Sequence, residues 1–132
     1  METPERIDAR TLPLILAWFD QRGLGTMPPD VLPPVGWCVV DSAGVPLAAA
    51  WLYEPQGCPL VILDWLISRP GLPPKLARPA LRAVLAACVA HATATGARRM
   101  FASVSNPVML REARACGFDL VASACSHLIK PL

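Results

Sequence analysis

Apolar residues near the start of the chain recur three or four positions apart, which is the spacing of one face of a helix. Thr11 is a suitable N-cap for this helix, Pro13 suits its first turn, and Gly23 is expected to end it. The apolar stripe consists of Leu12, Ile15, Leu16 and Phe19. The residues before Thr11 show no clear strand pattern, so this helix is the first predicted element.

Three strands are predicted after a proline-rich loop at 26–34. Residues 36–40 and 45–53 are apolar segments separated by the turn sequence Asp-Ser-Ala-Gly, which together predict a β-hairpin. Residues 60–67, LVILDWLI, form an almost continuous apolar run, typical of a central strand buried on both faces. Asp64 is the single acid within this run.

A second, longer helix is predicted from Pro79 to Thr95, with Pro79 in its first turn and Gly96 at its carboxyl end. Its apolar stripe consists of Leu81, Val84, Leu85, Cys88 and Ala92. A strand at 98–105 should follow this helix.

Asn106 and Pro107 are a good N-cap and first residue for a short helix that ends near Cys116. Residues 119–124 and 126–130 could form a final pair of strands. The predicted order is therefore α, β-β-β, α, β, α, β-β, within a chain of 132 residues that suits one domain with one core.

Composition excludes several classes of protein. Hydrophobic residues make up 54% of the chain and charged residues 17%, which is unlike a disordered segment. No apolar stretch approaches the length of a membrane span, and no secretory signal is recognisable, so a cytoplasmic location is expected. The cysteines have no metal-site spacing and are expected to be small core residues; they are Cys38, Cys58, Cys88, Cys116 and Cys125.

Charge is distributed unevenly along the chain. Residues 1–64 hold eight acids against three arginines, whereas residues 65–132 hold nine Lys and Arg residues against two acids. This asymmetry indicates an anionic ligand or partner for the second half, or two halves that neutralise each other across one fold. Nucleic acid is a poorer candidate, because the cations form no stripe along one helix and the pI is only about 8.4.

The segment ISRPGLPPKLARPAL, 67–81, connects a predicted strand to a predicted helix. It carries Arg69, Lys75 and Arg78, and Arg82 follows. Cations at the amino end of a helix are disfavoured by about 0.3–1 kcal/mol each. A bound anion would relieve this repulsion. Alternatively, the long side chains extend into water or pair with acids of the first half.

Three features together resemble the GNAT superfamily, the Gcn5-related N-acetyltransferases. They are the hairpin, LDWLISRP before the basic loop, and SVSNPVMLREARACGF after the long helix. The resemblance covers residues 36–132. It implies an α/β (α+β) fold with a mostly antiparallel central sheet flanked by helices. WFDQRGL, MPPDVLPPVGW and the closing HLIKPL are also similar to small GNAT-like proteins encoded by bacteriophages and prophages.

The resemblance implies a site for acetyl-coenzyme A. Leu66 and Ile67 would face the pantetheine arm, which Asn106 would also contact. The loop that follows would hold the diphosphate at a helix N-terminus, and its implied ligand-binding residues are Arg69, Lys75, Leu76 and Arg78. Asp64 stands where many members place the general base. From the residues alone, Asp64 in an apolar run is a candidate base, or alternatively an aspartate at an exposed strand bulge or one paired with an arginine, and Asn106 is a helix cap.

The chain departs from the family pattern at the positions that carry chemistry. The loop's Arg/Gln position falls on Pro73, and its two glycine positions fall on Leu76 and Arg78. Proline removes N–H donors, and the bulkier residues adopt positive φ at a cost. The tyrosine that many members use as general acid is here Ala113.

Two functional hypotheses follow. The first is an acetyltransferase-like protein that binds a coenzyme A-type ligand and acetylates an amine. The second is a non-catalytic GNAT-like module for contact with a protein partner or a second copy, which has lost the cofactor. A metal is not expected, because neither His91 nor His127 has a second ligand at helical spacing.

Overall fold

The chain alternates strands and helices around a five-stranded sheet. A computed structural model describes residues 3–104, 106–123, 126, 128, 130 and 131. The strands are β1 (Thr3–Arg6), β2 (Val35–Val40), β3 (Pro46–Tyr53), β4 (Leu60–Ser68) and β5 (Arg99–Ala102). The helices are α1 (Leu12–Gln21), α2 (Pro74–Ala94) and α3 (Pro107–Ala115), and a 3-10 turn covers Pro29–Val31.

The strands lie side by side in the order β1-β2-β3-β4-β5. All neighbouring pairs are antiparallel except β4 and β5, which are parallel and joined by α2 as their crossover. The predicted mostly antiparallel sheet with flanking helices is therefore confirmed. The expectation that no strand precedes α1 is wrong, because Thr3–Arg6 pairs with β2 although its own sequence has little strand preference.

Successive side chains of β3 point to opposite faces of the sheet and so build two cores. The α2-facing core includes Leu52 and Leu63, which pack with Leu81 and Leu85 of α2. The α1-facing core consists of Ile15, Trp18, Phe19, Cys38, Val40, Ala49, Trp51 and Ile67. The predicted stripe of α2 lies wholly in the first of these cores. Of the predicted α1 stripe, Ile15 and Phe19 are buried in the second core and Leu12 packs against it, whereas Trp18 takes the place expected for Leu16.

Helix α1 has the predicted bounds but a different cap. Thr11 occupies the N-cap position, yet its backbone is helical and its side chain makes no capping hydrogen bond. Asp8 caps this end instead, because its Oδ1 accepts hydrogen bonds from the N–H groups of Thr11 and Arg10, each at 3.0 Å. These bonds, that of Thr11 above all, hold the pKa of Asp8 below its ordinary value.

Helix α2 begins at Pro74, and the predicted start at Pro79 is wrong. Pro73 is the extended residue before the helix and Pro74 its first residue, where a fixed φ fits and no N–H is needed. Pro79 lies inside the helix, where it removes the N–H group that would bond the carbonyl of Lys75. The carboxyl end falls at Ala94, next to the predicted Thr95.

The last third of the chain follows the prediction only in part. Strand β5 is shorter than the predicted 98–105, and Asn106 caps α3 as expected. The first of the two predicted final strands is wrong over its described residues, 119–123, which form no strand. The second, 126–130, includes residues 127 and 129, and Cys125 precedes it; these three lie outside the described residues.

The cysteines differ in their surroundings. Cys38 and Cys88 are buried, as predicted, and burial raises their pKa to about 11 and about 12 respectively. Cys58 is exposed, contrary to the expectation of a core residue, because it lies in the turn before β4. Within the described part of the chain there is no cluster of metal-binding side chains and no helix long and apolar enough to cross a membrane.

Candidate functional site

A bulge interrupts β4 in the middle of the sheet. Trp51 of β3 lies opposite Asp64, but Ala49, two residues earlier, lies opposite Ile67, so β4 contains one extra residue in this interval. Within the bulge, Trp65 has a φ of 59°. It is the one described non-glycine residue with a positive φ. The bulge lies where the sequence offered a strand bulge as one interpretation of Asp64, the single acid of this apolar run.

The left-handed backbone of Trp65 costs about 1–2 kcal/mol and is held by specific contacts. Its backbone N–H donates to Oδ1 of Asp64 at 2.8 Å. Its indole Nε1 donates to the hydroxyl of Tyr53, also at 2.8 Å. Its ring meets Phe19 edge to face, with 6.2 Å between centroids. Each of these contacts contributes roughly 0.5–1.5 kcal/mol, enough together to offset the strain.

A cleft lies between β4 and β5, next to the bulge. The two strands pair only as far as Leu63 and Ala102, and beyond that point they are no longer hydrogen-bonded to each other. The cleft that follows has a volume of about 140 Å³. It is lined by Leu63, Asp64, Trp65, Leu66, Ser103, Val104, Asn106 and Met109.

Three of the residues proposed from the sequence meet in this cleft: Asp64, Leu66 and Asn106. Ile67 does not contribute its side chain, because it is 2% exposed and belongs to the α1-facing core. Because the Ile67 side chain lies in that core, only the backbone of Ile67 could contact a ligand in the cleft. Trp65, Ser103 and Met109 line the cleft without having been singled out in the sequence, since they have no distinctive spacing.

Asp64 lies at the bulge and is half-buried. Its Oδ1 accepts the Trp65 N–H, whereas Oδ2 makes no hydrogen bond with any part of the chain that the structure describes. A carboxylate fixed through one oxygen and open at the other can accept a proton from a group that enters the cleft. The arginine pairing considered for Asp64 is not found among the described residues.

Asn106 acts as helix cap and cleft wall at once. Its Oδ1 accepts hydrogen bonds from the N–H groups of Val108 at 2.8 Å and Met109 at 3.3 Å. This orients the side-chain amide and leaves its NH₂ group as the donor available to a ligand. The capping and ligand-binding interpretations of Asn106 are therefore compatible.

A groove with three cations lies beside the amino end of α2. This cation groove, with a volume of about 430 Å³, is lined by Pro74, Lys75, Arg78, Pro79 and Arg82. Lys75 makes no ion pair with any described residue. Arg69 points elsewhere, because its Nη1 lies 4.0 Å from Asp41 and 3.5 Å from the carbonyl of Pro46.

Glu112 on α3 partly neutralises the groove. Its carboxylate is 1% exposed and accepts a hydrogen bond from Nε of Arg82, while Nε of Arg78 lies 3.7 Å away. This bond and the charge of Glu112 raise the pKa of Arg82. For Arg78 and Arg82 the acid thus comes from the second half of the chain, whereas Arg69 lies beside an acid of the first half, as considered above. Lys75 has no such partner among the described residues.

The backbone at this helix end has few N–H groups to offer. Pro73 and Pro74 have none, and the N–H groups of Leu76 and Ala77 both donate to the carbonyl of Pro73 at 2.9 Å. In the preceding loop, the N–H of Arg69 pairs with the carbonyl of Leu47. An anion here would rely on side-chain cations more than on backbone donors.

No tyrosine stands at the position where many of the GNAT enzymes that the sequence resembles place a general acid. Ala113, at the corresponding position, is buried on α3 and has no polar side chain. Tyr53 is the single tyrosine of the sequence, and it is not among the described residues that line the cleft. The described lining of the cleft therefore contains a candidate base but no tyrosine.

Solved structures of acetyltransferases share this architecture. The aminoglycoside N-acetyltransferase AAC(6')-Iy in complex with CoA is 18% identical, with a TM-score of 0.70 over 98% of this chain and 100% of that chain. A probable acetyltransferase is 16% identical, with a TM-score of 0.73 over 98% and 99%. A transcriptional regulator from Bacillus halodurans C-125 is 8% identical, with a TM-score of 0.74 over 98% and 100%.

No protein-family model and no curated protein sequence matches the chain. At identities this low, the similarity to the solved structures establishes the fold. The chain has the GNAT fold of the N-acetyltransferases, as the sequence resemblance predicted. Fold alone does not assign an activity, so the function is argued from the cleft and the groove.

Proposed function

We propose that the chain binds a coenzyme A thioester, with the pantetheine arm in the β4–β5 cleft and the diphosphate against the cation groove. The observation that carries this proposal is the cleft beyond the last β4–β5 pair, which lies at the β4 bulge and is lined by Asp64 and Trp65. Unpaired backbone groups of β4 beyond Leu63 can bond the amide groups of pantetheine as a strand would. AAC(6')-Iy, with the same fold, is known with CoA bound.

The diphosphate would be held mainly by side chains. Lys75 has no ion-pair partner among the described residues, and Arg78 shares Glu112 with Arg82. A cation and a phosphate form a charge-assisted bond stronger than a neutral one, so Lys75 and Arg78 can replace part of the missing N–H cradle. Binding through exposed cations should weaken as salt concentration rises.

Acetyl transfer would use Asp64 as base. The amine attacks the thioester carbonyl, its proton passes to Asp64 directly or through water, and the bond to sulfur breaks. The departing thiolate takes its proton from solvent, because Ala113 provides no acid. We therefore expect slow transfer even where the thioester binds well.

A second candidate function is a non-catalytic GNAT-like module whose cleft no longer binds the cofactor. The observations that favour it are the prolines at the start of α2, which remove backbone donors, and the alanine at position 113. In this case the scaffold would serve contact with a protein partner.

Calorimetric titration with acetyl-coenzyme A and with free coenzyme A separates the two candidates. Micromolar binding that is lost in a Lys75→Ala/Arg78→Ala double variant supports the ligand site. Asp64→Asn should then bind acetyl-coenzyme A as well as the wild-type chain but acetylate a panel of primary amines at least tenfold more slowly. Absence of binding at millimolar ligand would overturn the proposal and leave the contact module.

A further inference from the structure

Two side-chain hydrogen bonds join the β4 bulge to the proline-rich segment 28–34. The indole Nε1 of Trp65 donates to the hydroxyl of Tyr53 at 2.8 Å, and this hydroxyl lies 3.0 Å from the carbonyl of Val31, to which it donates. A hydroxyl can accept one bond and donate another, so both contacts hold at the same time. Tyr53 is thereby placed between the bulge and the segment.

The proline-rich segment is a stiff element. Its prolines fix φ, and the 3-10 turn Pro29–Val31 lies between them. The segment covers a cavity of about 230 Å³ on the α1 side of the sheet. The carbonyl of Val31, which accepts the hydrogen bond from the Tyr53 hydroxyl, therefore belongs to a segment whose backbone is restricted by its prolines.

We propose that Tyr53 is a positioning residue for the β4–β5 cleft. By fixing the Trp65 indole to the carbonyl of Val31, Tyr53 holds the left-handed backbone of Trp65, and with it the opening of the cleft and the direction of the Asp64 carboxylate. This inference rests on the proposed coenzyme A site. Tyr53 acts through Trp65, because it is not itself among the described residues that line the cleft.

Tyr53 is coupled to Asp64 through two hydrogen bonds of Trp65, one from its indole and one from its backbone. The backbone N–H of Trp65 is bonded to Oδ1 of Asp64, so a change in the backbone at Trp65 moves that carboxylate. The edge-to-face contact with Phe19 packs against the Trp65 indole but does not fix how that ring is rotated within its own plane. The hydrogen bond to Tyr53 fixes this orientation, which a phenylalanine at position 53 would not.

Four forms of the chain test the proposal: the wild type, Tyr53→Phe, Trp65→Phe and the double variant. Each single substitution removes the same hydrogen bond and keeps an aromatic ring. Each should weaken coenzyme A binding, measured by calorimetry, about threefold to tenfold, and the double variant should bind no more weakly than the weaker single variant. The Trp65 backbone N–H should exchange with deuterium faster in Tyr53→Phe by a similar factor.

Trp37→Phe is the matched control, because the buried Nε1 of Trp37 makes no hydrogen bond with any described residue. It should change neither coenzyme A affinity nor exchange at Trp65. The proposal is overturned if Tyr53→Phe behaves like this control, or if the effects of the two single substitutions add. Should the wild-type chain bind no coenzyme A, the proposed function fails, and the exchange comparison still decides the role of Tyr53.

Discussion

Glu112 on α3 accepts a hydrogen bond from Nε of Arg82 on α2, across 30 residues of sequence. The two partners are unequally buried, since Glu112 is 1% exposed and the Arg82 side chain is 57% exposed. The carboxylate is thus a buried charge whose neutralising partner reaches it from the surface. This pair joins α3, which carries the Asn106 cap at one wall of the cleft, to the helix that bears the cation groove.

Unequal burial predicts unequal effects of breaking the pair. Glu112→Gln leaves Arg82 and Arg78 free to be solvated, and should lower the free energy of unfolding by about 1–2 kcal/mol. Arg82→Met keeps the apolar stem but leaves a buried carboxylate with only Arg78 nearby, so it should destabilise more. Urea unfolding at neutral pH measures both. A smaller loss for Arg82→Met would show that Arg78 takes over the pairing.

Lys75 is expected to be the most informative cation of the groove, because it makes no ion pair with a described residue. Lys75→Ala should weaken coenzyme A binding about fivefold to tenfold at low salt, and the difference should shrink as salt is raised. Arg98→Ala removes one positive charge outside the groove and serves as the control. Equal effects of the two substitutions would indicate a general effect of net charge rather than a phosphate contact.

Much of the fold could be predicted from the sequence because local patterns agree with it. The turn at 41–44 defines the β2–β3 hairpin, and the Asn106–Pro107 pair defines the start of α3. A strand bulge at Asp64 was one of the interpretations that the sequence offered, but the positive φ of Trp65 could not be predicted, because no local preference favours that backbone conformation for tryptophan. Strand β1 is likewise stabilised by pairing with β2 rather than by its own residues.

The candidate site could be located from the sequence only through single residues. Asp64 stands out as the single acid of an apolar run, and Asn106 as a cap, whereas the contact between Glu112 and Arg82 depends on how α3 packs against α2. Glu112 does have one distinctive feature in the sequence, because it is the first acidic residue after Asp64. A search for the partner of the cations could have begun there.

Asp41 should make the chain sensitive to acid. The N–H of Val45, bonded to Oδ1, and that of Ala43 hold the pKa of Asp41 below its ordinary 3.8. Above pH 3.8 the carboxylate is ionised in the folded and unfolded chain, and its stabilising effect is complete. As the pH falls below 3.8 the unfolded chain takes up the proton first, so the stabilisation is lost as the pH passes through the folded pKa.

Asp41→Asn keeps an oxygen acceptor in the turn but removes the titration. The variant should therefore lose less stability than the wild type between pH 6 and pH 3, measured as the shift in melting temperature. Asp30→Asn is the control, since Asp30 is exposed and makes no hydrogen bond with a described residue. A wild-type acid profile in Asp41→Asn would show that other carboxylates govern the transition.

Gly36 is required by the tryptophan opposite it. A Cβ at this position would lie 2.6 Å from Cδ1 and Nε1 of Trp51 and 2.8 Å from Cδ1 of Ile7. Gly36→Ala should therefore lower the free energy of unfolding by about 1–3 kcal/mol, because a core this close to the sheet backbone cannot move aside cheaply. Trp51→Phe shortens the ring and vacates part of that space, so the same Gly36→Ala change should cost less in the Trp51→Phe background. Urea unfolding of the four forms gives the coupling between the two positions. Equal costs in both backgrounds would place the strain at Ile7 instead.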